Sequence, residues 1–284
     1  MGLFSGLGKY GLSKYEDAKV IEEKHDNKKN LNKLLAENTV QKTPEEIEKD
    51  ALFDKNITCP VCDLRFSAKC IRAGKVKLSK KDTDLRPIYE KIDPLKYDVL
   101  TCDNCGYSAL TRYFGKLAVR QIRDISSQIG ENFSGIFHEG DLYTYDEAIL
   151  RYKLALITTI VKKAKNSERG YTCLKYAWVL RGKRETLKAD DPQYKELYDD
   201  EMESIKNAYE CFKLAMENEQ FPIAGMDEYT LKYVMADLAR KIGKYDDCVR
   251  LIGSIITSKT APDRLKERAL FLKEMLKEDT KKAY

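Results

Sequence analysis

Ile57-Thr58-Cys59-Pro60-Val61-Cys62 and, separated from it by thirty-nine residues, Cys102-Asp103-Asn104-Cys105-Gly106-Tyr107 govern the reading of this 284-residue chain. Each CxxC puts two thiolates on one tight turn, and two such knuckles facing each other supply the tetrahedral sulfur cage that zinc prefers. Gly106 stands where the chain must turn sharply after the second pair. The spacing predicts a metal site made of Cys59, Cys62, Cys102 and Cys105, with reduced or redox-active thiols as the alternative. Four thiolates leave no open position for water, so the expected zinc is structural rather than catalytic. Iron in a rubredoxin-like cage is the alternative ion. In a segment with few apolar residues, metal binding would supply on the order of 10 kcal/mol of folding free energy.

Working outward, the segment between the knuckles is punctuated by Gly74, Pro87 and Pro94 and carries alternating patches at Lys75-Val76-Lys77-Leu78 and Tyr97-Asp98-Val99-Leu100. That texture predicts short hairpins. Ile57-Thr58-Cys59-Pro60 reads as a strand entering the first knuckle. Cys70 has no paired partner and reads as a small buried side chain or a spare thiol near the site. His138 reads as structural or exposed. Lys81-Asp82-Thr83-Asp84 lacks the glycine and later glutamate of a calcium loop and reads as a turn.

The chain carries eight cysteines, and the three C-terminal ones, Cys173, Cys211 and Cys248, lie singly in helical patterns where a small apolar residue would serve. Net charge is +5. Residues 56–127 hold 14 Lys+Arg against 8 Asp+Glu, so the basic surplus belongs to the cysteine region. Arg65, Lys69, Arg72, Lys75, Lys77, Lys80 and Lys81 follow the first knuckle, with Phe66, Tyr89, Tyr97, Tyr107 and Tyr113 nearby. A converging set of this kind would suit nucleic acid, but a solvated hairpin face with core aromatics is the favoured reading.

From Lys14 to about Lys55 the chain is rich in Lys, Glu, Asp and Asn, with a helix-like stretch at Lys28–Glu37 and a helix start at Thr43-Pro44-Glu45-Glu46. The opening MGLFSGLGKYGL has neither a basic leader nor a long apolar run, and Gly6 breaks the myristoylation pattern begun by Met1-Gly2. Without a run of roughly 20 apolar residues, the expectation is a cytoplasmic chain that makes no membrane contact.

After Tyr107 apolar residues recur at intervals of three and four. Tyr145-Asp146-Glu147-Ala148-Ile149 with Tyr152 and Ala155 has the spacing of a second helix of a tetratricopeptide repeat. Ala208, Phe212 and Ala215 restate it, as does Gly243-Lys244-Tyr245-Asp246-Asp247-Cys248. Tyr171, Leu174, Ala177, Trp178 and Leu180 predict a first helix, Leu231, Val234, Met235, Leu238 and Ile242 another, and Pro262 to Lys281 a charged capping helix. The expected fold is α+β and multi-domain. A charged, partly helical or disordered N-terminal arm (1–55) precedes a small β-rich zinc-ribbon or rubredoxin-like module (56–125), and an all-α tetratricopeptide-like array (126–284) follows. Stacked pairs of this kind bind peptides or protein partners, and no phosphate loop, activated nucleophile or paired-carboxylate site is recognisable. The expected function is that of a non-enzymatic cytosolic adaptor with a structural zinc ion. Its partner is an unidentified protein or peptide, with nucleic-acid binding or an iron redox module as alternatives.

Cys59-Pro60-Val61-Cys62, Asp82-Thr83-Asp84-Leu85-Arg86-Pro87, Asp93-Pro94-Leu95-Lys96-Tyr97 and Cys102-Asp103-Asn104-Cys105-Gly106-Tyr107 resemble the bacterial family catalogued as domain of unknown function 2225. Ala177-Trp178-Val179-Leu180-Arg181 and Arg268-Ala269-Leu270 resemble it too, so the likeness runs from about Phe53 onward. It implies a bacterial protein with a zinc-knuckle front and a tetratricopeptide-like back. Asp103 replaces the family's more usual Pro and leaves the ligands untouched.

Overall fold

The computed structural model describes residues 42–115, 117–136, 138 and 140–283, the side chains to 281. The helix expected at Lys28–Glu37 lies outside them. Residues from Pro44 onward form one unit. It is α+β, with small antiparallel sheets toward the N-terminus and a mostly helical C-terminal part.

Helix α1 (Pro44–Asp50) starts at the Thr43-Pro44 signal, with proline in its first turn and Glu45 and Glu46 on its dipole-favoured end. Strands β1 (Leu52–Thr58) and β2 (Arg65–Ile71) pair antiparallel with Leu52 opposite Ile71 and Thr58 opposite Arg65. Strand β1 runs across residue 55, because Leu52 is buried at its start against Tyr97 and Tyr143. Strands β3 (Leu78–Lys81) and β4 (Pro87–Tyr89) form a second hairpin with an irregularity between Leu78 and Lys80, and β5 (Val99–Thr101) and β6 (Ser108–Leu110) a third.

Eight-residue or longer helices follow: α2 (Val119–Gln128), α3 (Tyr145–Val161), α4 (Asn166–Arg184), α5 (Pro192–Asn218), α6 (Glu228–Lys241), α7 (Tyr245–Ile256) and α8 (Asp263–Ala283). Three of these starts, those of α3, α5 and α6, carry a side-chain cap. Thr144 and Glu147 close a capping box on α3, with Glu147 N–H donating to Thr144 Oγ1 at 3.2 Å and Thr144 N–H to Glu147 Oε2 at 2.8 Å. Asp191 caps α5 ahead of Pro192, and Asp227 caps α6. From α3 to α8 each helix packs on the next, and α8 also reaches α6. Small residues permit close approach: Ala148, Ala155, Ala208, Ala215 and Cys248 are fully buried. A Cβ on Gly170 of α4 would lie 3.0 Å from Phe212 Cδ1 of α5.

The β5–β6 hairpin is a shared wall. All six of its residues are buried, and alternation turns them to two sides. Val99 and Leu110 join the helical core, while Leu100 and Ala109 join the core around the cysteines with Phe66, Tyr107, Ile125 and Ile129. Ser108 N–H donates to Thr158 Oγ1 of α3 at 3.4 Å. The cysteine region and the helices therefore share a hairpin rather than a linker.

Candidate metal centre

Two hairpin tips build the centre, and they repeat one backbone pattern. In the first, Cys59 N–H donates to Leu64 O at 2.9 Å and Asp63 N–H to Cys59 O at 3.0 Å. In the second, Cys102 N–H donates to Tyr107 O at 2.9 Å and Gly106 N–H to Cys102 O at 3.0 Å. Each tip then needs one left-handed residue, Asp63 at φ +58° and Gly106 at φ +69°. In the first knuckle Val61 N–H also points at Cys59 Sγ, 3.4 Å away.

The tips face each other. The Sγ atoms of Cys59, Cys62, Cys102 and Cys105 all lie within 4.8 Å of one another. Cys59 and Cys105 are 3.6 Å apart, as are Cys62 and Cys102. A tetrahedron with zinc–sulfur bonds of about 2.3 Å has sulfur–sulfur edges of roughly 3.8 Å, so the donor set fits a tetrahedral thiophilic ion. Cys59, Cys102 and Cys105 are buried and Cys62 half-buried. With all four as thiols, hydrogen bonding from Cys105 and Cys59 lowers Cys102, while Cys59, bonded to Cys102, is pushed up to about 12. A divalent cation removes that conflict, because all four sulfurs then bind as thiolates.

The surroundings hold the tips in register. Phe66 and Phe114 meet edge-on at 5.9 Å, and Phe114 tilts against Tyr107 at 4.9 Å. The end of α2 reaches the second knuckle, where a Cβ on Gly130 would lie 3.6 Å from Cys105 Cβ. Phe133 lies over Gly106. Cys70 sits on β2 opposite Phe53, half-buried against the same core and outside the group of four, and burial pushes its thiol up. His138 bonds Glu147 through Nδ1 at 2.5 Å and is not a member of the group.

The basic residues after the first knuckle do not converge. Lys69 pairs with Asp54 at 3.2 Å, Arg72 donates to Leu52 O at 2.8 Å, Lys77 pairs with Glu90 at 2.6 Å, and Lys80 and Lys81 sit on another hairpin. Phe66, Tyr97 and Tyr107 are buried core; Tyr89 and Tyr113 are half-buried.

A second constellation was not legible as one in the sequence. The Asp82–Arg86 turn closes with Asp82 N–H donating to Arg86 O at 2.9 Å, and it places Asp84, fully buried, between Arg181 Nη2 and Lys241 Nζ, each at 2.6 Å. Arg181 continues to Glu201 at 2.7 Å, Glu201 to Arg184 at 2.8 Å, and Arg86 to Glu185 at 2.6 Å. Thr83 donates to Asp237 at 2.7 Å, and Arg240 joins Asp237 at 2.9 Å to Asp279 at 2.5 Å. Burial works to raise the Asp84 carboxyl, but the charges and hydrogen bonds of Lys241 and Arg181 prevail and hold it well below the usual carboxylate range. The turn is thus an ionic hub joining the β3–β4 hairpin to α4, α5, α6 and α8. The only hint in the sequence was the acid and arginine content of Asp82–Arg86 and Arg181.

The family model described as an uncharacterized protein conserved in bacteria, domain of unknown function 2225, matches residues 52–281, and the chain belongs to that family. No curated protein and no solved structure matches the chain. Among the described residues no helix is long and apolar enough to cross a membrane.

Proposed function

We propose that this family member is a non-catalytic scaffold in which a zinc ion, held by Cys59, Cys62, Cys102 and Cys105, locks two hairpin tips together while a tetratricopeptide-like helical array engages a protein partner in the cytoplasm. The cage of four sulfurs within 4.8 Å of one another carries the reading. Four protein ligands complete a tetrahedral shell, which suits an ion that shapes the fold rather than one that activates water. The metal's contribution would be folding free energy, and the residues that receive it are Leu100, Tyr107 and Ala109, packed directly around the cysteines.

Serial packing of α3 to α8 and the buried small residues at Ala148, Ala155, Ala208, Ala215 and Cys248 support the array. Exposed apolar side chains on the helices, among them Leu150, Ile157 and Ile160 on α3, give a partner surface to bury. Nucleic-acid binding finds less support, since the basic side chains after the first knuckle diverge and most nearby aromatics are core.

Elemental analysis of native protein tests the metal. One zinc per chain is expected, with loss of circular dichroism and of thermal stability after a strong chelator. Iron would reopen the redox alternative, and a metal-free chain of unchanged stability would overturn the reading. For the array, charged substitutions at Ile157 and Ile160 should weaken a partner complex recovered from cells of the source bacterium while leaving the melting temperature unchanged.

A further inference from the structure

The β3–β4 hairpin leans over α4, α6 and the turn at Ala224–Gly225 and leaves a groove of about 450 Å³ between them. Leu78 and Tyr89 face each other across the hairpin, as do Lys81 and Pro87, and all four line the groove. Tyr171, Leu174, Lys175 and Trp178 of α4 form its floor, and Arg112, Met226 and Val234 close it. The charged lining residues are Lys81, Arg112 and Lys175, and no carboxylate lines it among the described residues.

These cations differ in how they are neutralised. Lys175 is held by Asp98 at 2.9 Å. Lys81 and Arg112 have no carboxylate partner among the described residues. Arg112 donates instead to Ala224 O at 2.8 Å and lies 5.0 Å from the Tyr171 ring centre. A Cβ on Gly225 would come within 2.8 Å of Arg112 Nη2, so glycine there leaves room for the guanidinium. The groove therefore combines apolar and aromatic walls with uncompensated positive charge, in a protein whose other large cationic cluster is saturated by Asp84, Glu201, Asp237 and Asp279.

We infer that this groove binds an acidic peptide segment of a partner protein, with one apolar side chain seated against Leu78 and Tyr89 and its carboxylates against Lys81 and Arg112. The inference rests on the scaffold reading and names the chemistry of its partner. Charge complementarity selects an acidic ligand. Strand β3, exposed along its whole length, borders the groove and suits an extended chain. Single-stranded nucleic acid fits less well, because it needs free aromatic faces. Tyr171 already has Arg112 and Lys175 over its ring, and Trp178 is buried.

Trp178 is the single tryptophan of the chain and lines this groove, so its emission responds to a ligand seated there. Zinc-loaded full-length protein is titrated with a short peptide of glutamates around one phenylalanine, with its glutamine counterpart, and with oligothymidylate. A saturable emission change is expected with the acidic peptide only, weakening as salt rises. Lys81→Glu should lower the affinity roughly tenfold through like-charge repulsion. Lys80→Glu, which changes net charge equally but does not line the groove, should leave it within about twofold of wild type. No saturable change with the acidic peptide, equal effects of the two lysine variants, or preference for oligothymidylate would each overturn the inference. Partner complexes of the Lys81→Glu protein separate the two readings: a complex that survives through the helical face sinks the groove and keeps the scaffold, whereas no complex with either protein sinks the scaffold.

Discussion

At position 106 two independent demands fall on one residue. The backbone is left-handed, and a Cβ would stand 2.8 Å from the Phe133 ring. Asp63 meets the first demand in the other knuckle without glycine, as short polar residues can. The symmetry of the tips is therefore in the backbone, and the asymmetry lies in what packs over them. Gly106→Ala is expected to cost about 2 kcal/mol, from backbone strain and displacement of Phe133, whereas Asp63→Gly should stay within about 1 kcal/mol of wild type. Urea denaturation of both variants with zinc bound checks the contrast.

Asp84 is the second residue whose setting outweighs its type. Its carboxyl is depressed in the folded protein, so its contribution to stability is complete at neutral pH. That contribution fades as pH falls below about 4, the range of an ordinary Asp, toward the lower folded value. Asp84→Asn leaves the buried Arg181 and half-buried Lys241 without their shared anion and should cost about 3 kcal/mol at neutral pH. It should also flatten the acid limb of a stability–pH curve. Equal slopes for wild type and variant between pH 5 and 2, a range of about three units around the reference value, would contradict this account.

Among the elements, the β5–β6 hairpin decides how the two regions communicate. One face carries Leu100 and Ala109 into the cysteine core, the other Val99 and Leu110 into the helical core. Strain or loosening at the second knuckle must then be felt at α3. Leu110→Ala removes a fully buried side chain from the helical side of this wall and should cost about 2–5 kcal/mol. Its expected signature is faster amide exchange in both α3 and the β5–β6 backbone. Exchange confined to the hairpin would show that the wall is less tightly shared than its packing implies.

For the molecule as a whole, chelation is the informative perturbation. A zinc module on a flexible linker would melt alone and leave the helices untouched. Here residues from Pro44 onward form one unit, so chelation is expected to lower the melting temperature of the helical signal as well. Far-ultraviolet circular dichroism measured with and without chelator distinguishes the two. An unchanged helical transition would mean that the hairpins and helices are energetically separate despite their shared wall.

The sequence by itself determined the features whose physics is local. Two thiols three positions apart must share a turn, so both knuckles were legible, and the four sulfurs do come together within 4.8 Å of one another. Period-three-and-four apolar spacing marked α3, α4, α5, α6 and α7, and Thr43-Pro44 marked α1. Tertiary structure alone decided the rest. Asp84 finds Arg181 and Lys241 at separations of 97 and 157 residues, and no local pattern announces a pairing made across that distance. Lys81 and Lys80 look alike in sequence, yet only the first lines the groove, because hairpin register assigns neighbouring residues to opposite faces. Alternation was visible at Tyr97–Leu100, which leads into β5, but β6 forms at Ser108–Leu110, where helical spacing was expected, because pairing with β5 and burial on both faces depend on what the rest of the chain brings to each side.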